Sequence, residues 1–391
     1  MHRSLSRALS VVVALTVPAL FAAEAPAGKK RPGKDRAKAA KNVAKADPQQ
    51  LGDYVWGARI AQADTEGRVL VCCVFDGEDR TAPQLPKMVL SELKTPNPNV
   101  ALMMVLADGG ALTKALRILS EAEVKLPVIS DATIPDLANV RVPRPRAAGG
   151  RGKAGARAQF CIYARAPDGK LIYSGAIEPA KLQTVLADIA KAAAEFPTCL
   201  TRGKSFPRSS AIVRQLATAG SYGAIVQELT RRAAGKDAAE AQEARDLLAN
   251  LEDQGTRLLR KGAYFEKRHL PTALETYAAI AKSWKGLPAG AKAEERLAAL
   301  KAEKTLEHEL AAVALADRIR QDCALLVPAP KAPNVVVRDP ECQDVASNKN
   351  VIARLLGEAA IFRSKYKDAR IAPESQALLR AYGVPDTPAA K

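Results

Sequence analysis

Two unbroken apolar runs constrain this chain most: Val69–Phe75, VLVCCVF, and Val100–Leu106, VALMMVL. A half-exposed strand alternates apolar and polar residues. A continuous run of this length predicts a strand covered on both faces, as in parallel sheets. The first run enters an acidic loop over 76–80, and a helix is predicted across 84–93. The second stops at Asp108-Gly109-Gly110, ahead of a helix over 111–122 with Leu112, Leu116 and Leu119 inward. A single Gly pair of this kind reads as a turn, not as a phosphate loop.

The flanking segments complete a small α/β unit. Leu51, Tyr54, Val55, Ile60 and Ala61 fall roughly at helical spacing, which predicts a short amphipathic helix over 48–64. Residues 126–129 read as a short extended piece and 134–140 as a short helix or turn. Segments 159–164 and 170–174 form a hairpin turned by Pro167-Asp168-Gly169, and a helix follows over 179–194. The order predicts a sheet with helices on both faces.

Charge and the N-terminus speak to the compartment. Arg3 and Arg7, an apolar stretch over 8–21 and small residues at 22–25 form a signal-peptide pattern, assigned to 1–23. An N-terminal membrane anchor is the alternative. The chain is expected to be exported, to a periplasm or the extracellular space. Of the net charge of +17, the stretch 24–50 contributes eight Lys/Arg against three acids, and 141–157 contributes six against none. The first (24–47) reads as a basic flexible tether and the second as a basic mobile loop within a domain spanning 48–198. Solvated flexible segments explain this charge, and adhesion to an anionic envelope polymer or lipid surface is the sharper reading. Nucleic acid is not expected, because no aromatic residues interleave the basic runs.

From 207 onward the periodicity is helical. Leu247, Leu248, Leu251, Gly255, Leu258 and Leu259 make one stripe, and Ala273, Leu274, Tyr277 and Ile280 another that starts at Pro271. A helical-hairpin domain is assigned to 207–326. A C-terminal extension over 327–391 follows, with two helices over 348–365 and 373–382.

The six cysteines are Cys72, Cys73, Cys161, Cys199, Cys323 and Cys342, and no two have CxxC spacing. Adjacent residues in a strand point to opposite faces, so Cys72 and Cys73 are predicted to be core residues, as is Cys161. Cys199 lies on the linker between domains and is expected to be the most accessible. Cys323 and Cys342 flank a Pro-rich loop and are a candidate disulfide, with two unpaired thiols as the alternative. After the signal only His269 and His308 remain, so neither a metal nor a cofactor is expected.

The first domain resembles the thioredoxin-like family. The carriers are Val69-Leu70-Val71, the run 100–106, Pro127-Val128-Ile129-Ser130-Asp131, and the hairpin FCIYARAPDGKLIYSG over 160–175. The resemblance implies a redox site in which a CxxC cysteine at a helix start is held as a thiolate. Counted from Val69-Leu70-Val71, the two cysteine positions fall near Glu78 and Thr81, and a shift of two residues brings no thiol to either. The family also places a cis-proline just before the hairpin, where this chain has Arg157-Ala158-Gln159; the nearest prolines are Pro143 and Pro145. The acids of the loop read as a helix start that complements the macrodipole. The helical part resembles tetratricopeptide arrays over 262–300, through Ala273, Leu274, Tyr277 and Pro288, which implies a protein-binding module.

Together these readings predict an α/β thioredoxin-like domain that is redox-inactive, followed by an all-α helical-hairpin domain that binds an unidentified protein partner. The competing class is an enzyme, a thiol-disulfide oxidoreductase or peroxidase with atypical cysteine use.

Overall fold

The computed structural model describes residues 47–93, 98–107, 111–134, 137, 140, 160–328 and 335–386. The signal segment, the tether up to 46, the basic loop and the residues before the hairpin all lie outside these, as do Pro143, Pro145 and Asp108-Gly109-Gly110. The described residues belong to one compact unit.

Six strands form one mixed sheet: β1 (Asp53–Trp56), β2 (Val69–Phe75), β3 (Val100–Leu106), β4 (Val128–Ser130), β5 (Phe160–Arg165) and β6 (Leu171–Ile177), in the order β1-β4-β3-β2-β5-β6. The two apolar runs pair in parallel, Val69 opposite Val100 through Phe75 opposite Leu106. On its other edge β2 pairs antiparallel with β5, which turns into β6. All seven residues of β2 are buried, as expected for a central strand covered on both faces.

Helix α1 (Gln84–Glu92) joins β2 to β3, α2 (Leu112–Glu121) joins β3 to β4, and α3 (Pro179–Glu195) follows the hairpin. Both crossovers step the same way along the sheet, so right-handed connections place α1 and α2 on one face. Val71, Cys73, Leu102 and Met104 meet Leu85, Val89, Leu116, Leu119, Leu186 and Ile189 in that layer. The opposite face of Leu70, Cys72, Met103 and Tyr163 is covered by Leu51, Ile134, Leu137 and Val140. Helices on both faces were expected. Among the described residues the second face is instead covered by turns, because the extra strand β4 carries α2 onto the first face.

The helix expected over 48–64 is a strand followed by a 3-10 turn, Gln62–Asp64. Tyr54, Val55 and Trp56 favour a strand, and Gly52 and Gly57 bracket them. Gly57 has a φ of +74°, and a Cβ there would stand 1.9 Å from the Leu126 carbonyl oxygen. Trp56 Nε1 donates to the Val124 carbonyl at 2.9 Å, which holds this edge against the segment before β4.

The remaining helices are α4 (Ser210–Thr218), α5 (Gly223–Ala233), α6 (Ala238–Glu266), α7 (Leu270–Ser283), α8 (Pro288–Lys301), α9 (Leu306–Leu325), α10 (Pro340–Asp344), α11 (Asn348–Lys365) and α12 (Ala372–Ala381). They divide between two cores. Helices α4 to α8 enclose Leu216, Leu247, Leu251, Phe265, Tyr277 and Ile280. Helices α9, α11 and α12 instead extend the core of the sheet. The join lies at α2, where Thr113 Oγ1 accepts from Val335 N at 3.2 Å and the Thr113 carbonyl from Tyr382 Oη at 3.3 Å. Among the described residues the C-terminal extension holds three helices, where two were expected. The added one, α10, starts at Pro340 and is capped by Asp339, whose carboxylate accepts from Glu341 N at 3.0 Å.

Candidate functional site

The loop after β2 is organised by its own aspartates. Asp76 Oδ1 accepts from the backbone N–H groups of Glu78 and Asp79, at 2.9 and 3.1 Å. Asp79 Oδ1 accepts from Thr81 N at 2.8 Å and from Thr81 Oγ1 at 2.6 Å. These are consecutive side-chain-to-backbone turns, which tighten the loop without a helix. Gly77 makes them possible: its φ is +83°, and a Cβ there would stand 2.9 Å from the Ala111 carbonyl oxygen. Helix α1 starts only at Gln84, with no acid in its first turn, so the expected acidic helix start is corrected to a pair of capped turns upstream of it.

At the two positions of interest, Glu78 is exposed and ion-paired with Lys114 at 2.7 Å, and Thr81 points its hydroxyl back to Asp79. An exposed pair of this kind contributes about 0–1 kcal/mol. The site holds no sulfur at either position.

The strand cysteines stand behind this loop. Cys73 lies in the helix-covered layer and Cys72 in the other, back to back across the sheet. Burial pushes the Cys72 thiol up to about 12 and raises Cys73 further. Burial, reinforced by the charges of Asp76 and Asp79, pushes Cys161 up to about 11. Cys323 and Cys342, the candidate disulfide, are separate and fully buried thiols, both raised by burial. Asn348 Nδ2 contacts the Cys342 carbonyl at 2.9 Å and its Sγ at 3.4 Å. Cys199 is half-buried in a 3-10 turn, not on an open linker. Its carbonyl oxygen would lie 2.3 Å from a Cβ at Gly67.

A second arrangement was not legible in the sequence. The turn after β1, the start of α7 and the side of α9 enclose a cleft of about 410 Å³. Tyr54, Arg59, Lys261, His269, Glu275 and Asp317 are among its lining residues. Arg59 and Arg320 both lie over the Tyr54 ring, their guanidinium carbons 3.9 and 4.6 Å from its centroid. Both also donate to Glu374 of α12. Lys261 is paired with Asp64 at 2.7 Å. His269 caps α7, its Nδ1 lying 3.3 Å from Thr272 N. Burial, then the charge of Arg59, drops the His269 pKa to about 3, so the ring is neutral at ordinary pH.

Among the described residues, no group of three or more His, Cys, Asp and Glu side chains could hold a metal ion. No described helix is long and apolar enough to cross a membrane. The fold defines a mixed six-stranded α/β sheet followed by an all-helical region. No protein-family model, no curated protein and no solved structure matches this chain.

Proposed function

We propose that this chain is an exported binding protein of a cell envelope, with a thioredoxin-like α/β part that carries no thiol chemistry and a helical part that contacts a protein partner. Strand order supports the first element: β3-β2-β5-β6, with β5 antiparallel to β2 and a helix after the hairpin, is the arrangement the thioredoxin-like resemblance implies. The single observation that carries the reading is the loop after β2. Glu78 faces solvent and Thr81 is engaged by Asp79, where a redox pair would stand. The basic stretches 24–47 and 141–157 supply a further contact, with an anionic polymer or lipid surface. Disulfide reduction with an insulin substrate tests the reading. The expected rate equals the uncatalysed one, with or without Cys→Ser exchanges, and a rate that disappears with one named cysteine contradicts it.

One observation favours the oxidoreductase alternative: Cys199 alone of the six cysteines is not buried. It predicts peroxide or disulfide turnover that is lost in Cys199→Ser.

A further inference from the structure

We infer that the outer edge of β6 pairs with the same edge of a second copy of this chain, antiparallel about a two-fold axis at Ser174, so that two sheets join into one. β6 closes the strand order, with β5 as its one neighbour in the sheet. Among the described residues, no backbone group outside the β5 ladder bonds to Leu171–Ile177. A free edge of this kind is a template for another strand, and chains commonly blunt it with charge, proline or shortness. The opposite edge, β1, is blunted: it has four residues, one of them Asp53, and Arg59 and Arg320 lie over its Tyr54. β6 has seven residues, LIYSGAI, with no charge and no proline. Leu171 is 53% exposed, and Ser174 is exposed as well. The Ala176 carbonyl accepts from Tyr173 Oη at 2.7 Å, and a carbonyl oxygen keeps a second lone pair.

The residues of this edge select its occupant. A two-fold pair repeats every contact, residue i on j and j on i. Turned about Ser174, the strand sets Lys170 opposite Glu178 of the second copy, and Glu178 opposite its Lys170. Opposite charges therefore meet at both ends of the ladder. A slip of two residues loses both pairs, and in one direction it sets Glu178 against Asp168. Among the described residues Lys170 has no ion pair, and Glu178 has Lys181 alone, at 3.1 Å and equally exposed. Between the ends, Leu171 stands opposite Ile177 and Tyr173 opposite Gly175. A Cβ at Gly175 would meet nothing within 4 Å, which leaves room for an aromatic ring from the second copy. This inference is independent of the thiol reading, since a redox-active chain would present the same edge.

Sedimentation analysis of the full chain tests it, from about 1 to about 100 µM. A reversible monomer–dimer equilibrium is expected. Lys170→Glu and Glu178→Lys should each weaken it about tenfold, because each sets like charges at both ends, and the double exchange should restore it. Ser174→Lys, which places two lysines at the axis, should leave a monomer with the parent circular-dichroism spectrum. A chain that stays monomeric at about 100 µM overturns the inference and leaves the edge to a strand of another protein. A dimer indifferent to Ser174→Lys overturns it too, as does a double exchange no better than the single ones. If Glu178→Lys, at the start of α3, does not fold, Ser174→Lys decides.

Discussion

Glu374 accepts hydrogen bonds from both terminal nitrogens of Arg59, 315 residues earlier in the chain, at 2.7 and 2.8 Å. Its Oε1 also accepts from Arg320 Nη2 at 2.7 Å. One carboxylate on the last helix therefore ties the first strand's turn to α9. Removing one partner of a buried ion pair leaves uncompensated charge, which costs about 3–5 kcal/mol. Glu374→Gln should lower the thermal midpoint by several degrees. Replacing the three charges together, Arg59→Met, Arg320→Met and Glu374→Leu, should recover most of the loss, because the desolvated charges leave with their partner. A Glu374→Gln midpoint equal to that of the parent protein contradicts this.

The same carboxylate sets a pH dependence. Burial alone would raise its pKa. The Arg59 hydrogen bonds and the charges of Arg320 and Arg59 outweigh burial and hold it below the usual carboxylate value. A group depressed on folding contributes stability that is complete above its unfolded pKa, about 4.3, and is lost as pH falls through its folded value. The gap in melting temperature between the parent and Glu374→Gln should be flat from neutral pH to about 5 and close below about 4. A gap that widens on acidification contradicts the assignment.

Glycine 262 tests packing against propensity. An exposed helical Gly→Ala exchange stabilises by about 0.5–1 kcal/mol. Here a Cβ at Gly262 of α6 would stand 2.6 Å from the ring of Tyr277, which is 2% exposed on α7. Overpacking costs about 1–3 kcal/mol, so the sign reverses and Gly262→Ala should destabilise. Chemical denaturation measures it; an increase in stability would show that the α6–α7 contact is looser than described.

Asp79 supports the loop, not a reaction. Asp79→Ala removes the acceptor for both Thr81 N and Thr81 Oγ1 and should cost about 1 kcal/mol. Asp79→Asn keeps an acceptor oxygen and should cost less. Hydrogen exchange over 78–84 should speed up in the first variant and change little in the second.

The legible parts of this fold are those that local chemistry decides. The runs of β2 and β3 could be little else than buried strands, and α11 spans the residues its periodicity predicts, 348–365. The four-residue β1 was misread because Leu51, Val55 and Ile60 mimic a helical stripe. What makes it a strand is an edge supplied by β4, over seventy residues later. Helix α10 did carry a signal, Asp-Pro-Glu at 339–341. The cleft carried none that could be read locally: Arg59, Arg320 and Glu374 look like surface residues until three distant elements bury them together. The assignment of Cys72 and Cys73 to opposite faces needed only the alternation of a strand.

The central claim, that the sheet cysteines take no part in redox chemistry, is tested most directly by timed alkylation of the native protein at neutral pH, with each modified cysteine identified by mass. A thiol held at about 12 is ionised to about one part in a hundred thousand at pH 7, against about a few per cent for an ordinary one. The account predicts that Cys199 labels first and that Cys72, Cys73 and Cys161 label only after unfolding. Labelling of any of these three at the rate of an unhindered thiol, before the protein unfolds, would contradict it.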